Sequence, residues 1–421
     1  MTAPPPASLR LYGLATGAAS LAAPAWLKGR AGRGKEDPAR WPERLGRTTT
    51  RRPEGRLAWL HGVSVGESLS LLPLIDRIRT DRPDVAVLVT SGTRASADLL
   101  ATRLPSGAIH QYAPLDTPGA VRRFLDHWRP DLGVLVESEL WPNLILGAQA
   151  RGMRLALVSA KLSARSLAGW RRAPGAARAV LAAFDLLLAR DTDAAERFAA
   201  LGARVDGLAD LKFGAPPLPV DEGAWARAVL GDSPVLLAAS THPGEEEIVL
   251  AAFRAAAVGA AALLILAPRH PARGEAVERL ARDIGLTVGM RAAGDALGAA
   301  AVYVADTVGE LGLWYRLARL AVVGGSLTAE GVGGHNPLEP ARLGCPFIAG
   351  PRTSAWPVYE AMEAEGATGR VPPADLAHWF ARALAGDPAL AAMARRACDF
   401  VSAGDAAAGE AAERVLGLLD R

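Results

Sequence analysis

Three carboxylates, a lysine, a basic pair and one glycine-rich stretch carry most of the chemistry this sequence offers. Glu67 stands in Ser64-Val-Gly-Glu67, where an apolar run gives way to helix-like spacing. A carboxylate there can take a proton from an alcohol, and negative charge is favoured at a helix start. Read alone, an acid that satisfies backbone donors at the helix start accounts for Glu67 better. Glu137-Ser-Glu139 sets two acids at the end of another apolar run. Such a carboxylate can stabilise a cationic, oxocarbenium-like sugar centre, while pairing with Lys161, Arg165 or Lys212 explains the spacing nearly as well. Arg269 and His270, after Pro268, suit a phosphate or carboxylate because a guanidinium offers a planar fork of donors. A solvated basic pair explains them equally. Lys212 stands where it can neutralise an acid.

The stretch from Val322 to Pro351 reads as a buried strand, a glycine-rich turn, a helix opening at Asn336 with Pro337 in its first turn, and a second apolar strand. Asn is a good N-cap, and Pro is pre-set for the first helical position. Such a start leaves backbone N–H groups unpaired and suits a phosphate. Glu339, one turn in, can accept from ribose hydroxyls. Glycines alone need only serve a tight turn between strand and helix. His335, Asn336 and Glu339 beside them favour a nucleotide-sugar site.

These residues must be held by strands and turns, and the chain supplies both. Apolar runs at Leu57–Gly62, Val85–Thr90, Leu132–Glu137, Leu155–Ser159 and Leu186–Ala189 alternate with helix-like segments, and Tyr112–Asp116 reads as a further strand end. Leu69, Leu72, Leu74, Ile75 and Ile78 follow mostly helical spacing. Between Leu208 and Val220 the pattern breaks into a proline-rich linker. A second series follows at Pro234–Ser240, Ala262–Ala267, Val302–Ala305, Leu320–Gly324 and Pro346–Ala349. Alternation with short loops predicts doubly wound parallel sheets. The reading is α/β, with two Rossmann-like halves facing each other across a cleft and polar tips at the carboxyl ends of the strands.

A chain of 421 residues suits two domains. The expected division is a membrane anchor and basic segment over 1–36, an acceptor-binding domain over 37–211 and a nucleotide-sugar domain over 212–421. A net charge of +3 is too small to suggest nucleic acid. Between Lys28 and Arg56, however, ten basic residues face four acidic ones. Residues 11–27 before them are largely apolar, near the lower limit for a bilayer span. The expectation is an uncleaved anchor that spans the membrane or lies in its interface, with the basic run drawn to anionic head groups. A signal peptide and a disordered tail are the other readings. Cys345 and Cys398 lack metal-ligand spacing and fit a reducing compartment. No paired aspartates and no zinc-spaced histidines stand out, so no metal is expected.

Taken together, the motifs Trp59 to Glu67, Glu137 to Asn143, Ser240 to Glu246, Pro268 to His270, Asp306 to Leu311, Gly324 to Leu327 and Gly333 to Ala341 resemble the 3-deoxy-D-manno-octulosonic acid (Kdo) transferases of Gram-negative bacteria. The leader Gly34 to Leu45 also looks like that family's segment after the anchor. The resemblance runs over nearly the whole chain and rests on the order and joint presence of these motifs. It implies a GT-B fold and an inverting, metal-independent transfer of Kdo from CMP-Kdo to a lipid A precursor, lipid IVA, at the cytoplasmic face of the inner membrane. No cofactor beyond the donor is implied. Carried over residue by residue, Glu67 matches the general base, and Glu137 and Lys212 match positions that stabilise the transition state. Pro268 and Arg269, the run Val308, Gly309 and Glu310, and the run Asn336, Pro337, Leu338 and Glu339 match the CMP-binding segments.

Three departures touch that picture. Val308 stands where the family often has Met, Ser159-Ala-Lys161 where Asn-x-Arg is usual, and Ala355-Trp356 where Asn-Phe is common. The first is an apolar exchange, and the others bear on contact details rather than on the reaction. Another GT-B enzyme, a UDP-sugar transferase or epimerase, is the rival within the fold, and an idle binding protein at the membrane is the rival of another class.

Overall fold

The computed structural model describes residues 5–220, 233–259 and 261–420. They form two compact units, one of residues 1–215 with 404–421 and the other of residues 216–403.

The first unit is built on a sheet of seven parallel strands: β1 (Arg56–His61), β2 (Val85–Ser91), β3 (Ile109–Tyr112), β4 (Leu132–Val136), β5 (Arg154–Ala160), β6 (Leu186–Ala189) and β7 (Gly207–Leu208), in the order β3-β2-β1-β4-β5-β6-β7. Alternation along β1 feeds both faces. Leu57 and Trp59 pack into one layer with Phe124 and Trp128. Ala58 and Leu60 pack into the other with Leu74, Ile75 and Ile78. Burial on both faces explains the unbroken apolar runs. The strand expected at Tyr112–Asp116 ends at Tyr112 and begins earlier, at Ile109.

The second unit repeats the plan with β8 (Val235–Thr241), β9 (Leu263–Pro268), β10 (Val288–Met290), β11 (Val302–Val304), β12 (Leu320–Val323), β13 (Phe347–Ala349) and β14 (Gly369–Arg370), ordered β10-β11-β9-β8-β12-β13-β14, all parallel. Its core joins Leu236, Leu264, Leu266, Val302 and Val304 to Val249, Phe253 and Phe380.

Two expectations are corrected. The chain's last residues, assigned by sequence to the second half, belong to the first unit. The helix Pro388–Leu416 ends there, and Ala411, Val415, Leu416, Leu418 and Leu419 share a core layer with Leu60 and Leu74. The apolar stretch 11–27 is not one span. It forms the helices Ala7–Ala19 and Ala23–Ala31, separated at Ser20-Leu21-Ala22, with Pro24 in the first turn of the second. Among the described residues no helix is long and apolar enough to cross a membrane.

Candidate active site

In each sheet the strand order reverses direction at the centre, between β1 and β4 in the first and between β8 and β12 in the second. Ligands of open α/β sheets bind beyond the carboxyl ends of strands at such switch points. The predicted site residues of the first unit gather at the former, and most of those of the second unit at the latter.

Beyond β1, Ser64 caps the helix Val65–Asp81 and accepts the Glu67 N–H. The Glu67 side chain folds back, taking the Ser64 hydroxyl on Oε1 at 2.8 Å and the Val63 N–H on Oε2 at 2.7 Å. This is a capping arrangement, so the structural role expected of an acid at this point is real. It does not exhaust the carboxylate, because each oxygen keeps a further lone pair. Burial pushes the Glu67 carboxyl above its ordinary range, against the two hydrogen bonds and with the help of the charges on Glu139 and Glu137.

Glu137 follows β4 with a left-handed φ of 59°, and Ser159 near the end of β5 has φ 52°. Left-handed backbone costs a side-chain-bearing residue about 1–3 kcal/mol and persists where its surroundings enforce it. Here the bend brings Glu137 Oε1 to 3.2 Å from Lys212 Nζ. Lys212 sits on the short turn Leu211–Gly214, whose Leu211 N–H is held by Ser159 Oγ at 2.9 Å and whose Lys212 N–H is held by Asp210. The ion pair and a place at the switch point therefore coexist for Glu137. Glu139 takes other partners, His61 Nε2 at 3.6 Å and the indole N–H of Trp141. A cavity of about 700 Å3 bordered by Arg56, Asp131 and Arg154 opens at the amino ends of β1, β4 and β5, away from these acids.

In the second unit the glycine-rich turn is built differently from the expectation. The buried carboxylate of Glu245 accepts four backbone N–H groups: His242 at 2.9 Å and Gly325 at 2.7 Å on Oε2, Ser326 and Leu327 at 2.8 Å each on Oε1. A Cβ on Gly324 would fall 2.6 Å from the Ser240 carbonyl oxygen and 2.9 Å from this carboxylate, so only glycine permits the approach. The N–H groups of Gly325, Ser326 and Leu327 are thus spent inside the fold. The helix that follows is Leu338–Arg342, only five residues long, and Asn336 Oδ1 takes its first N–H at 3.0 Å. Pro337 and Leu338, at its start, are buried.

Cations nonetheless concentrate here. Pro268 ends β9 in the core, and Arg269 and His270 stand exposed after it. Burial raises the Glu339 carboxyl, while the hydrogen bond from Asn336 and the charges of Arg269 and Arg342 oppose the rise. His242 and His335 stack with their Nε2 atoms 2.9 Å apart, which requires one ring to donate and the other to accept. Burial, then the neighbouring His242 and Arg269, pull His335 down to about 4. In the Asp306–Glu310 turn, Val308 is exposed, Gly309 takes φ 92°, and Glu310 is clasped by Arg291 at 2.5 Å and by the Thr307 hydroxyl. Among the described residues no three His, Cys, Asp or Glu side chains gather in a way that could hold a metal ion.

The sequence reading singled out Glu67, Glu137 and Lys212 but gave no role to Glu245, Arg291, His61 or Trp141. The sequence did offer a signal for Glu245, which stands directly after Gly244 in a helix's first turn, where negative charge is favoured.

Residues 39–215 match the family of 3-deoxy-D-manno-octulosonic-acid transferases (kdotransferase). The chain is 36% identical over 367 residues to the 3-deoxy-D-manno-octulosonic acid transferase of Bordetella pertussis, covering 83% of this chain and 84% of that one. It is 35% identical over 331 residues to a probable mitochondrial 3-deoxy-D-manno-octulosonic acid transferase of Arabidopsis thaliana, covering 76% and 74%. The crystal structure of Acinetobacter baumannii MurG superposes with a TM-score of 0.55 at 11% identity, over 86% of this chain and 99% of that one. At that identity the likeness concerns the fold alone, which is of the GT-B type.

Proposed function

The chain belongs to the 3-deoxy-D-manno-octulosonic acid (Kdo) transferase family and is a glycosyltransferase, and from that premise we propose that it moves Kdo from CMP-Kdo to a lipid A precursor with inversion, Glu67 acting as base. One observation carries the assignment of the base: at the β1/β4 switch point, Glu67 is the carboxylate that burial and two neighbouring acids push upward. A base so tuned holds a proton more strongly than an ordinary carboxylate. Glu67 takes the proton of the acceptor hydroxyl, the oxygen bonds to the anomeric carbon, and the bond from that carbon to the phosphate breaks to release CMP. Attack from the face opposite the phosphate inverts the centre. Glu137 supports positive charge on the sugar, and Lys212, paired with Glu137, holds that carboxylate in place. Arg269, beside Glu339, takes charge from the phosphate, and Val308, Gly309, Glu310 and the Asn336–Glu339 turn border the cytidine.

The same reading seats the N-terminal helices on the cytoplasmic face of the inner membrane. Leu11, Leu14, Leu21 and Trp26 are exposed, and the basic run follows them. A helix with an apolar outer side and adjoining cations binds anionic lipid surfaces.

The test is Glu67→Gln, assayed with CMP-Kdo and lipid IVA by product mass. Transfer is expected to vanish while CMP binding stays near that of the wild type. Comparable transfer by the variant removes Glu67 from the role, and a wild type inert towards this pair removes the proposed reaction.

A further inference from the structure

Trp141 is the first residue after Leu140 in the turn that carries Glu137 and Glu139, and it precedes the helix Pro142–Gln149. Its indole N–H is donated to Glu139 Oε2, while the residue remains 41% exposed. Glu139 in turn is faced by His61 Nε2, and the imidazole is anchored from behind, with Nδ1 2.8 Å from Thr90 Oγ1. The Trp59 indole also donates to that oxygen, at 2.8 Å. The Thr90 hydroxyl thus links the Trp59 indole to the His61 imidazole. A chain of contacts through the buried Trp59, Thr90 and His61 to the half-buried Glu139 thus fixes the polar edge of an indole whose ring is left open to solvent. On its other side Asn143 ties the turn to the N-terminal helix, donating to Thr16 Oγ1 at 3.0 Å and to the Asp116 carbonyl at 2.7 Å.

An exposed aromatic ring is ordinarily a liability. One held rigid beside carboxylates is a wall on which the C–H face of a pyranose can lie, leaving its hydroxyls to the acids. We propose that Trp141 is the sugar platform of the acceptor site, stacking on a pyranose ring of the glycolipid acceptor, with Glu139 and His61 as positioning residues. This rests on the proposed reaction and adds where the acceptor's sugar lies: against the same turn that holds Glu137, with the lipid on the side of the N-terminal helix.

The experiment measures steady-state kinetics of the full chain with CMP-Kdo and detergent-dispersed lipid IVA, alongside binding of each variant to anionic lipid vesicles. Trp141→Ala is expected to raise the KM for the acceptor roughly ten- to hundred-fold, with the KM for CMP-Kdo and vesicle binding unchanged. Trp141→Phe, which keeps a ring, is expected to recover most of the loss. Glu139→Ala should raise the acceptor KM in the same direction, and Glu139→Gln, which still offers an oxygen to the indole, should restore it. An unchanged acceptor KM in Trp141→Ala overturns the platform, and so does a loss that follows weakened vesicle binding. A wild type that fails to transfer to this acceptor overturns the reaction and the platform together, whereas an active wild type with an unaffected Trp141→Ala sinks the platform alone.

Discussion

Lys212 Nζ lies 3.2 Å from Glu137 Oε1, and both residues reach that position through unusual backbone. Glu137 adopts a left-handed φ, and the turn bearing Lys212 hangs from Ser159, which does the same. A single part-buried ion pair contributes on the order of 1 kcal/mol, no more than the strain at one of these residues costs. Stability therefore does not account for the arrangement, and placement of charge at the switch point does.

Glu137→Asn separates the two accounts. Asn tolerates left-handed backbone, so relief of strain offsets the lost pair and stability stays within about 1 kcal/mol of the wild type. Transfer should fall by about two orders of magnitude, in the range seen when one electrostatic contact to a transition state is removed. Urea unfolding and initial rates on the same preparation check both. A loss of several kcal/mol with little change in rate would make Glu137 a structural residue.

Gly404, in the long helix Pro388–Leu416, sets the position of the neighbouring turn. A Cβ there would meet Phe213 Cδ1 at 2.1 Å, and Phe213 is the residue after Lys212. Alanine is the better helix former by about 1 kcal/mol, but overpacking costs about 1–3 kcal/mol. Gly404→Ala should be mildly destabilised and should lose more activity than its folded fraction explains. Adding Phe213→Leu makes room for the methyl and should restore rate, as kinetics of the single and double variants would reveal.

The pH dependence follows from Glu67. Because its carboxyl is raised, the acid limb of the pH–rate profile should lie above the ordinary carboxylate value of about 4.3. Glu139→Gln removes one of the charges that raise it, so the limb should move to lower pH. The linkage for stability runs the other way from a salt-bridged acid. The native state holds this proton more tightly than the unfolded chain, so the contribution is complete below the unfolded pKa and is lost as pH rises through the native one. Relative to Glu67→Gln, the wild type should lose stability as pH rises above the ordinary carboxylate value of about 4.3, read as a shift in denaturation midpoints.

Central strands were legible in the sequence because burial on both faces demands long apolar runs, as at Val85–Thr90 and Leu132–Val136. Edge strands were not. Ile109–Tyr112 contains His110 and Gln111, and Gly207–Leu208 is two residues long, since an edge pairs on one side only. At the site, Glu67, Glu137 and Lys212 each stood out by their position after an apolar run or at a hinge. Ser159, which holds the Lys212 turn, and His61, which faces Glu139, did not, because they act through contacts between distant parts of the chain, which leave no periodicity to read. The passage of the last helix into the first unit was hidden for the same reason: an alanine-rich amphipathic helix does not say which sheet it covers.

The glycine-rich turn gives the sharpest test of a contact invisible to sequence. Glu245 and Gly325 are 80 residues apart, and the carboxylate takes the N–H groups of Gly325, Ser326 and Leu327 together with that of His242. Two oxygens serve four donors, two apiece. In Glu245→Gln one oxygen becomes an NH2 group, which faces two N–H groups as a third donor and leaves them unpaired in a site without solvent. Each buried unsatisfied group costs about 1–3 kcal/mol, so the variant should lose about 3 kcal/mol or more. Glu245→Ala leaves all four donors bare and should fare no better. The turn they hold runs on to His335 and Asn336, so CMP should also bind more weakly to whatever fraction of Glu245→Gln still folds. Calorimetric melting with and without CMP measures both effects. A variant as stable as the wild type, with CMP binding unchanged, would mean that the turn is shaped by its glycines alone.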